Sequence, residues 1–439
     1  MKIIRIIVSA FIVLLSCLSI YTSVHAYLDK KDNYIAFVEK GDELAEKGLY
    51  QMACAEYEKA MMLEENLEVR IKYTDAYANA YKDGVVTKKE LFSVLDRSTA
   101  LYSEYMPFWQ EYLQACIDNN DYTTGYLVAQ KSIRLNIQSD DINLLRDQIL
   151  YSYKKTSTTY SNFSSNSNGE YTVCNRENWG TLKNNGDKKT DYIYSYVSPL
   201  NSNGEAVYIS EEKGSRVISS DGVVEFILED TVKNCRAYGD LMLPIKRDDG
   251  KWEYLCVDDN SESITDVFDD ASSFTNGNAA VKIQNQWHLI HTDGTVVSDS
   301  VFDDIKLYSN GEFIRYDCFV AGVDGKYGVY DQTGTLMVDF TSRDMDVYMG
   351  DLIAYQADNG DWSYVNKDGE VVIEAKYNRA KSFSGGLGAV YNGKSWGFIN
   401  STGRLVIDYT FLNVDYFTAK GFCMVQETPE EFHGIKLRY

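Results

Sequence analysis

The chain has 439 residues, with 65 acidic side chains against 43 basic ones and a formal net charge of −22. A surface of that sign repels phosphate backbones, which excludes nucleic acid as a direct partner, and it repels anionic lipid headgroups and wall polymers unless cations bridge them. Eight cysteines occur without a CxxC pair and at unrelated positions, so most read as small buried hydrophobes rather than as a disulfide framework.

Lys2 and Arg5 precede an uncharged run from Ile6 to Ala26, long enough to cross about 30 Å of hydrocarbon as a helix. Residues 1–27 are therefore expected to anchor the chain in the cell membrane as a single pass, with the bulk outside the cytoplasm. The alternative is a secretory signal cut after Ala26, where Val24-His25-Ala26 loosely resembles a small-residue site. The protein would then be secreted. Leu14-Leu15-Ser16-Cys17 resembles a lipoprotein box, but the apolar continuation after Cys17 argues against it.

Residues 34–155 carry a helical period. In GLYQMACAEYEKAMMLEEN (48–66), Ala53 and Ala60 let two helices approach, while Phe37, Leu44 and Tyr57 fill the gap between them. A second such pair is expected over 109–135, with Trp109, Tyr122, Gly125, Ala129 and Ser132 at corresponding positions. Between the two, Thr87 is placed to cap a helix over Lys88 to Leu101, and Ser139 to cap a last one from about Asp140 to Lys154. This region closely resembles the tetratricopeptide repeat, with Glu65 where that family usually has Pro. The resemblance implies an α-solenoid that binds an extended peptide on its concave face, here at Asp42, Glu46, Gln110, Gln114 and Asp118. The Lys and Asn clamp for acidic peptide tails is absent from those positions, and an ordinary solvated face is the competing reading.

Residues 156–170 are rich in Ser, Thr and Asn, and are expected to be a linker. From 171 to 439 one phrase recurs about every 35 residues, as supersecondary repeats do. Each copy opens on a lead position: Trp179, Ser215, Trp252, Trp287, Tyr327, Trp362 and Trp396. A glycine follows at Gly186, Gly222, Gly294, Gly334, Gly369 and Gly403, with Asp259 in the third copy. Further anchors recur at Tyr194, Phe268, Phe302, Tyr377 and Phe411, and again at Leu200, Phe274, Tyr308, Tyr348, Phe383 and Phe417. Asn366-Lys367-Asp368-Gly369 reads as a hairpin turn, because glycine accepts the positive φ that such turns demand. Asp249-Gly250, Asp324-Gly325, Asn359-Gly360 and Asn392-Gly393 are expected to hairpin the last strand of one copy into the first of the next.

The phrases WGFINSTGRLVI (396–407), YGVYDQTGTLMV (327–338) and WSYVNKDGEVVI (362–373) resemble the WG-type β repeats of bacteria, over about residues 171–425. The resemblance is specific for architecture and nearly mute on function. Ser363, Glu253 and His288 depart from it where the Gly after the ring is expected, and Ser215 where the ring is. Stacked copies bury what each cannot bury alone. Seven of them suit a closed propeller-like ring, which protects sheet edges, in preference to an open β array. The lead rings read as inter-repeat core, against an exposed row that stacks on sugars.

Catalytic groups are scarce. Only His25, His288, His291 and His433 occur, and residues three apart on one strand point to opposite faces. Asp258-Asp259, Asp269-Asp270 and Asp303-Asp304 could be calcium ligands or glycosidase carboxylates, but their places in the repeat mark them as turn residues. The chain is therefore expected to be a multidomain α plus all-β protein: a membrane helix, a helical array and a seven-copy β domain. It is expected to use no metal or cofactor and to act as a non-enzymatic scaffold for another protein or peptide. Carbohydrate binding by exposed repeat aromatics is the alternative, and a hydrolase built on acidic pairs a distant third.

Overall fold

The computed structural model describes residues 2–438 except 229–231, 233 and 259–263, with side chains from Leu14 onward apart from 340 and 341. The chain divides into two compact units, one ending at Leu150 and the other Tyr151–Arg438.

The first unit is helical: α1 (Lys2–Glu46), α2 (Tyr50–Leu63), α3 (Leu67–Lys82), α4 (Lys88–Leu101), α5 (Met106–Asp118), α6 (Tyr122–Arg134) and α7 (Asp140–Leu150). Among the described residues no helix is long and apolar enough to cross a membrane, so the expected anchor over 1–27 is not supported there. Side chains 2–13 lie outside the described set.

Small residues set the helix spacing. Ala53 and Ala60 are fully buried, and a Cβ on Gly41 would lie 2.4 Å from the Tyr57 ring. Asn66, Thr87 and Asp121 cap α3, α4 and α6, and Thr87 with Glu90 forms a reciprocal capping box. Ser139 accepts from the Ile142 amide as anticipated, but α7 ends at Leu150 rather than Lys154. Glu65 accepts hydrogen bonds from the buried Arg70 guanidinium, which anchors the start of α3.

The second unit is a β-propeller. Among the described residues its strands form eight antiparallel sheets. Seven blades come from contiguous chain: 162–194, 196–228, 235–268, 270–302, 304–342, 345–377 and 379–411. The eighth closes the ring. It pairs Asn413–Val414, Phe422–Thr428 and Glu431–Leu437 with Tyr153–Tyr160 from the other end of the unit, Tyr153 opposite Leu437.

Two expectations are corrected here. The supposed linker 156–170 is folded: Tyr153–Tyr160 is the outer strand of blade eight, and Asn162–Ser165 starts blade one. Its hydroxyl and amide side chains misled because they bond to backbone at the sheet, as Asn166 does to Asn201 O and Thr156 to the Gly434 amide. The β unit thus starts near 151, not 171.

The second correction is that copy and blade differ in phase, while the turns expected to hairpin one copy into the next do so. Each lead residue opens the third strand of a blade, and turns such as Asn359-Gly360 join the second and third strands of that same blade. One sequence copy therefore begins in one blade and ends on the first two strands of the next. Seven copies cut out of phase, plus a half at each end, build eight sheets.

Inside a blade the lead ring lies directly across from the anchor 15 or 16 residues later: Trp287 faces Phe302, Trp362 faces Tyr377 and Trp396 faces Phe411. Trp252, Trp287, Trp362 and Trp396 are all less than one-tenth exposed, whereas Trp179 and Tyr327 are only half-buried. The ring contact that crosses a blade boundary belongs to the residue two places on. Tyr254 meets Phe274, Tyr364 meets Phe383 and Phe398 meets Phe417, each with centroids 4.9 Å apart. Such ring pairs add about 0.5–1.5 kcal/mol beyond their buried area.

Candidate functional site

The loop that follows the first strand of a blade repeats a phrase that the lead-ring register hides. Ser167-Asn168-Gly169-Glu170, Ser202-Asn203-Gly204-Glu205 and Ser309-Asn310-Gly311-Glu312 stand in blades one, two and five. Each loop closes on a left-handed glycine, with φ of 73°, 79° and 91°. Blade five is not a neighbour of blades one or two, so contacts among these loops must cross the centre of the ring. The Asn310 amide side chain donates to Leu200 O at 3.0 Å, and Glu312 accepts from the Ser202 amide at 2.8 Å. Ser309 Oγ accepts from the Ser165 amide and donates to its carbonyl. Asn310 O and Gly311 O accept from the Ala237 and Ser273 amides of blades three and four.

The other blades put ionisable groups at the same end. Tyr416 of blade eight donates to both oxygens of Asp346 of blade six, at 2.9 and 2.7 Å, and the Ser382 amide adds a third bond at 2.7 Å. Burial nevertheless pushes the Asp346 carboxyl above its ordinary range, and burial does the same to Asp415 against the pull of Lys381. Lys381 Nζ donates to Val414 O at 2.6 Å and lies 5.2 Å from the Tyr416 ring centre. The Arg315 guanidinium stacks 3.7 Å from the Tyr308 ring centre, with Glu312 3.9 Å away.

Beside Tyr416 opens a cleft of about 370 Å³ lined by Ser165, Asn168, Tyr171, Tyr316 and Thr418, among others. Tyr316 stands at its edge, 63% exposed. Tyr316 and Asp317 form a two-residue hairpin tip with φ of 54° and 59°. Blades four and seven use Asn276-Gly277 and Gly385-Gly386 at the corresponding tip. A left-handed tyrosine costs about 1–2 kcal/mol where glycine costs none.

The sequence-predicted partner residues lie elsewhere, on the helical unit. Asp42 is already engaged, accepting from Tyr57 at 2.8 Å and Lys72 at 2.6 Å. Gln110 donates to Asp141, and Gln114 to Asp118 at 2.7 Å. Glu46, Gln114 and Asp118 are exposed. Asp42–Lys72 joins α1 to α3, Tyr81–Asn119 joins α3 to the end of α5, and Gln110–Asp141 joins α5 to α7, so these helices share one side of the array. Half-buried Glu111 on that side is pushed up to about 7 by burial and by the Asp75 carboxylate.

The acidic pairs do not converge. Asp269 takes Lys251, Asp270 takes Arg236, and Asp304 takes Tyr327 and Lys306. Asp259 lies outside the described residues. Among the described residues no group of three His, Cys, Asp or Glu side chains could hold a metal ion. Six of the eight cysteines are buried, Cys256 is half-buried and Cys17 exposed, all free.

Three segments, 256–287, 362–394 and 396–427, match the family described as WG containing repeat. They carry the WG repeat. No curated protein matches the chain. Among solved structures it is similar to Kluyveromyces lactis Hsv2, at 11% identity and a TM-score of 0.32, over 64% of this chain and 97% of that one. It is also similar to the Dos1 propeller, at 10% identity and a TM-score of 0.35, over 66% and 94%. A eukaryotic initiation factor follows at 12% and 0.35, over 65% and 87%.

Proposed function

We propose that this WG-repeat protein is a non-enzymatic interaction scaffold, held at the membrane by residues 6–26 with its folded units outside the cytoplasm. Its helical array, read as a tetratricopeptide-like solenoid, grips an extended segment of another protein along the side shared by α1, α3 and α5. The observation that carries this reading is how side chains are used: four lead tryptophans are consumed in packing, while Glu46, Gln114 and Asp118 stay exposed on those helices. Sugar binding by a row of lead rings needs at least two of them exposed on one face, and Trp252, Trp287, Trp362 and Trp396 are buried.

A photo-crosslinking residue at Gln114, in the full chain in its native membrane, tests the proposal against one at Leu127, which is exposed on α6. The Gln114 probe should capture one protein species, and Glu46→Lys should reduce the yield severalfold. Equal capture from Leu127, or none from Gln114, would overturn it.

A further inference from the structure

We propose that the axial cleft of the propeller is a binding site for a neutral saccharide unit, with Tyr316 as its stacking platform. The proposal does not rest on the scaffold reading, which concerns the helical unit. A cavity of about 370 Å³ falls at the small end of the range of small-molecule sites.

Its lining is hydroxyl, amide and aromatic: Ser165, Asn166, Asn168, Ser384, Thr418 and the tyrosines. Tyr171 belongs to that lining, with Asp415 beside it. Both residues are buried, and the Asp415 carboxyl interacts with the Tyr171 and Ser165 hydroxyls.

Charge narrows the ligand. Lys381 and Arg315 both act on Asp415, so an added cation would meet two positive neighbours. An anion would meet Asp415 and Asp346. What remains is a neutral molecule rich in hydroxyls, which can donate to a carboxylate and accept from amides. The Tyr316 ring supplies the apolar face that a pyranose needs. It packs at 5.5 Å against Tyr348 and over Gly350, where a Cβ would come within 2.7 Å of it. The residue nevertheless stays 63% exposed.

Saturation-transfer NMR on the full chain in detergent micelles tests this. The probes are glucose, galactose, mannose, N-acetylglucosamine and N-acetylgalactosamine at about 20 mM, enough to fill a millimolar site. At least one should give a signal, weakened about tenfold or more in dissociation constant by Tyr316→Gly. Tyr316→Gly should fold with an unchanged or raised Tm, because glycine accepts the left-handed φ, so lost binding could not be ascribed to unfolding. Silence from all five sugars overturns the proposal. So does a signal that Tyr316→Gly leaves intact, or one given only by lysine amide or inorganic phosphate run as controls.

Discussion

The Ser363 hydroxyl donates a 2.6 Å hydrogen bond to the Ile373 carbonyl, at the place in blade six where blade seven has Gly397 facing the Ile407 carbonyl. A Cβ on Gly397 would lie 2.7 Å from that oxygen, because the register slips beside Trp396 and pushes the fourth strand inward. Gly328 meets Val338 O in the same way at 2.9 Å. The glycine of the repeat thus makes room for a backbone carbonyl, and Ser363 satisfies that carbonyl instead of colliding with it.

Gly397→Ser is expected to be better tolerated than Gly397→Ala, and Gly397→Val to be the worst. Overpacking of this kind costs about 1–3 kcal/mol, and only serine has a hydroxyl to offset it. Urea midpoints of the three variants check the order. Equal losses for Ser and Ala would show that the Ser363 bond is incidental.

Trp396→Ala should cost about 3–5 kcal/mol, the range for a large aromatic removed from a packed core. Trp179→Ala should cost clearly less, since Trp179 is half-buried. Thermal unfolding of each variant measures the difference. Acrylamide quenching of the wild type should likewise be weak, because four of the six tryptophans here, Trp252, Trp287, Trp362 and Trp396, are under one-tenth exposed and Trp109 is fully buried.

Deleting residues 431–439 should unfold the whole propeller rather than fray one edge. The strand Glu431–Leu437 is the sole partner of Tyr153–Tyr160 in its sheet, so its loss opens the ring. The β signal in circular dichroism should fall cooperatively at a much lower temperature. A variant that melts like the full chain would mean that closure contributes little.

Glu111 makes stability pH-dependent. Its carboxyl is raised in the fold to about 7 by burial and by Asp75, against about 4.3 in the unfolded chain. Between those values the folded state holds a proton that the unfolded state has lost, so stability falls as pH rises through the window and is constant above it. Glu111→Gln lacks this loss, and its advantage over the wild type should be larger at pH 8 than at pH 5. Urea unfolding followed by helical circular dichroism at both pH values reads it. An advantage independent of pH would place the Glu111 pKa near its ordinary value.

Much of the scaffold was legible because its signals are local. Thr87 caps α4, and Ala53 and Gly41 space the first helices, since capping and close approach depend on one or two residues at fixed separations. The lead positions marked every contiguous blade, including blade two, where Ser215 faces Leu228 in place of a ring pair. The closing sheet was not legible. Tyr153–Tyr160 has no lead ring or turn glycine, and its partner lies at the far end of the unit. The axial loops were overlooked although Ser-Asn-Gly-Glu occurs three times, because polar turns resemble linker when their bonding partners are unknown.

By itself, then, the sequence determined the two kinds of secondary structure, the repeat spacing and the burial of four lead rings, since period and turn chemistry act over a few residues. Only the tertiary structure decided that seven copies make eight sheets, that 156–170 is folded and that loops of blades one, two and five meet over the axis. Ring closure brings together residues far apart in the chain, such as Asn310 and Leu200. No local pattern encodes which of many polar side chains will be desolvated there.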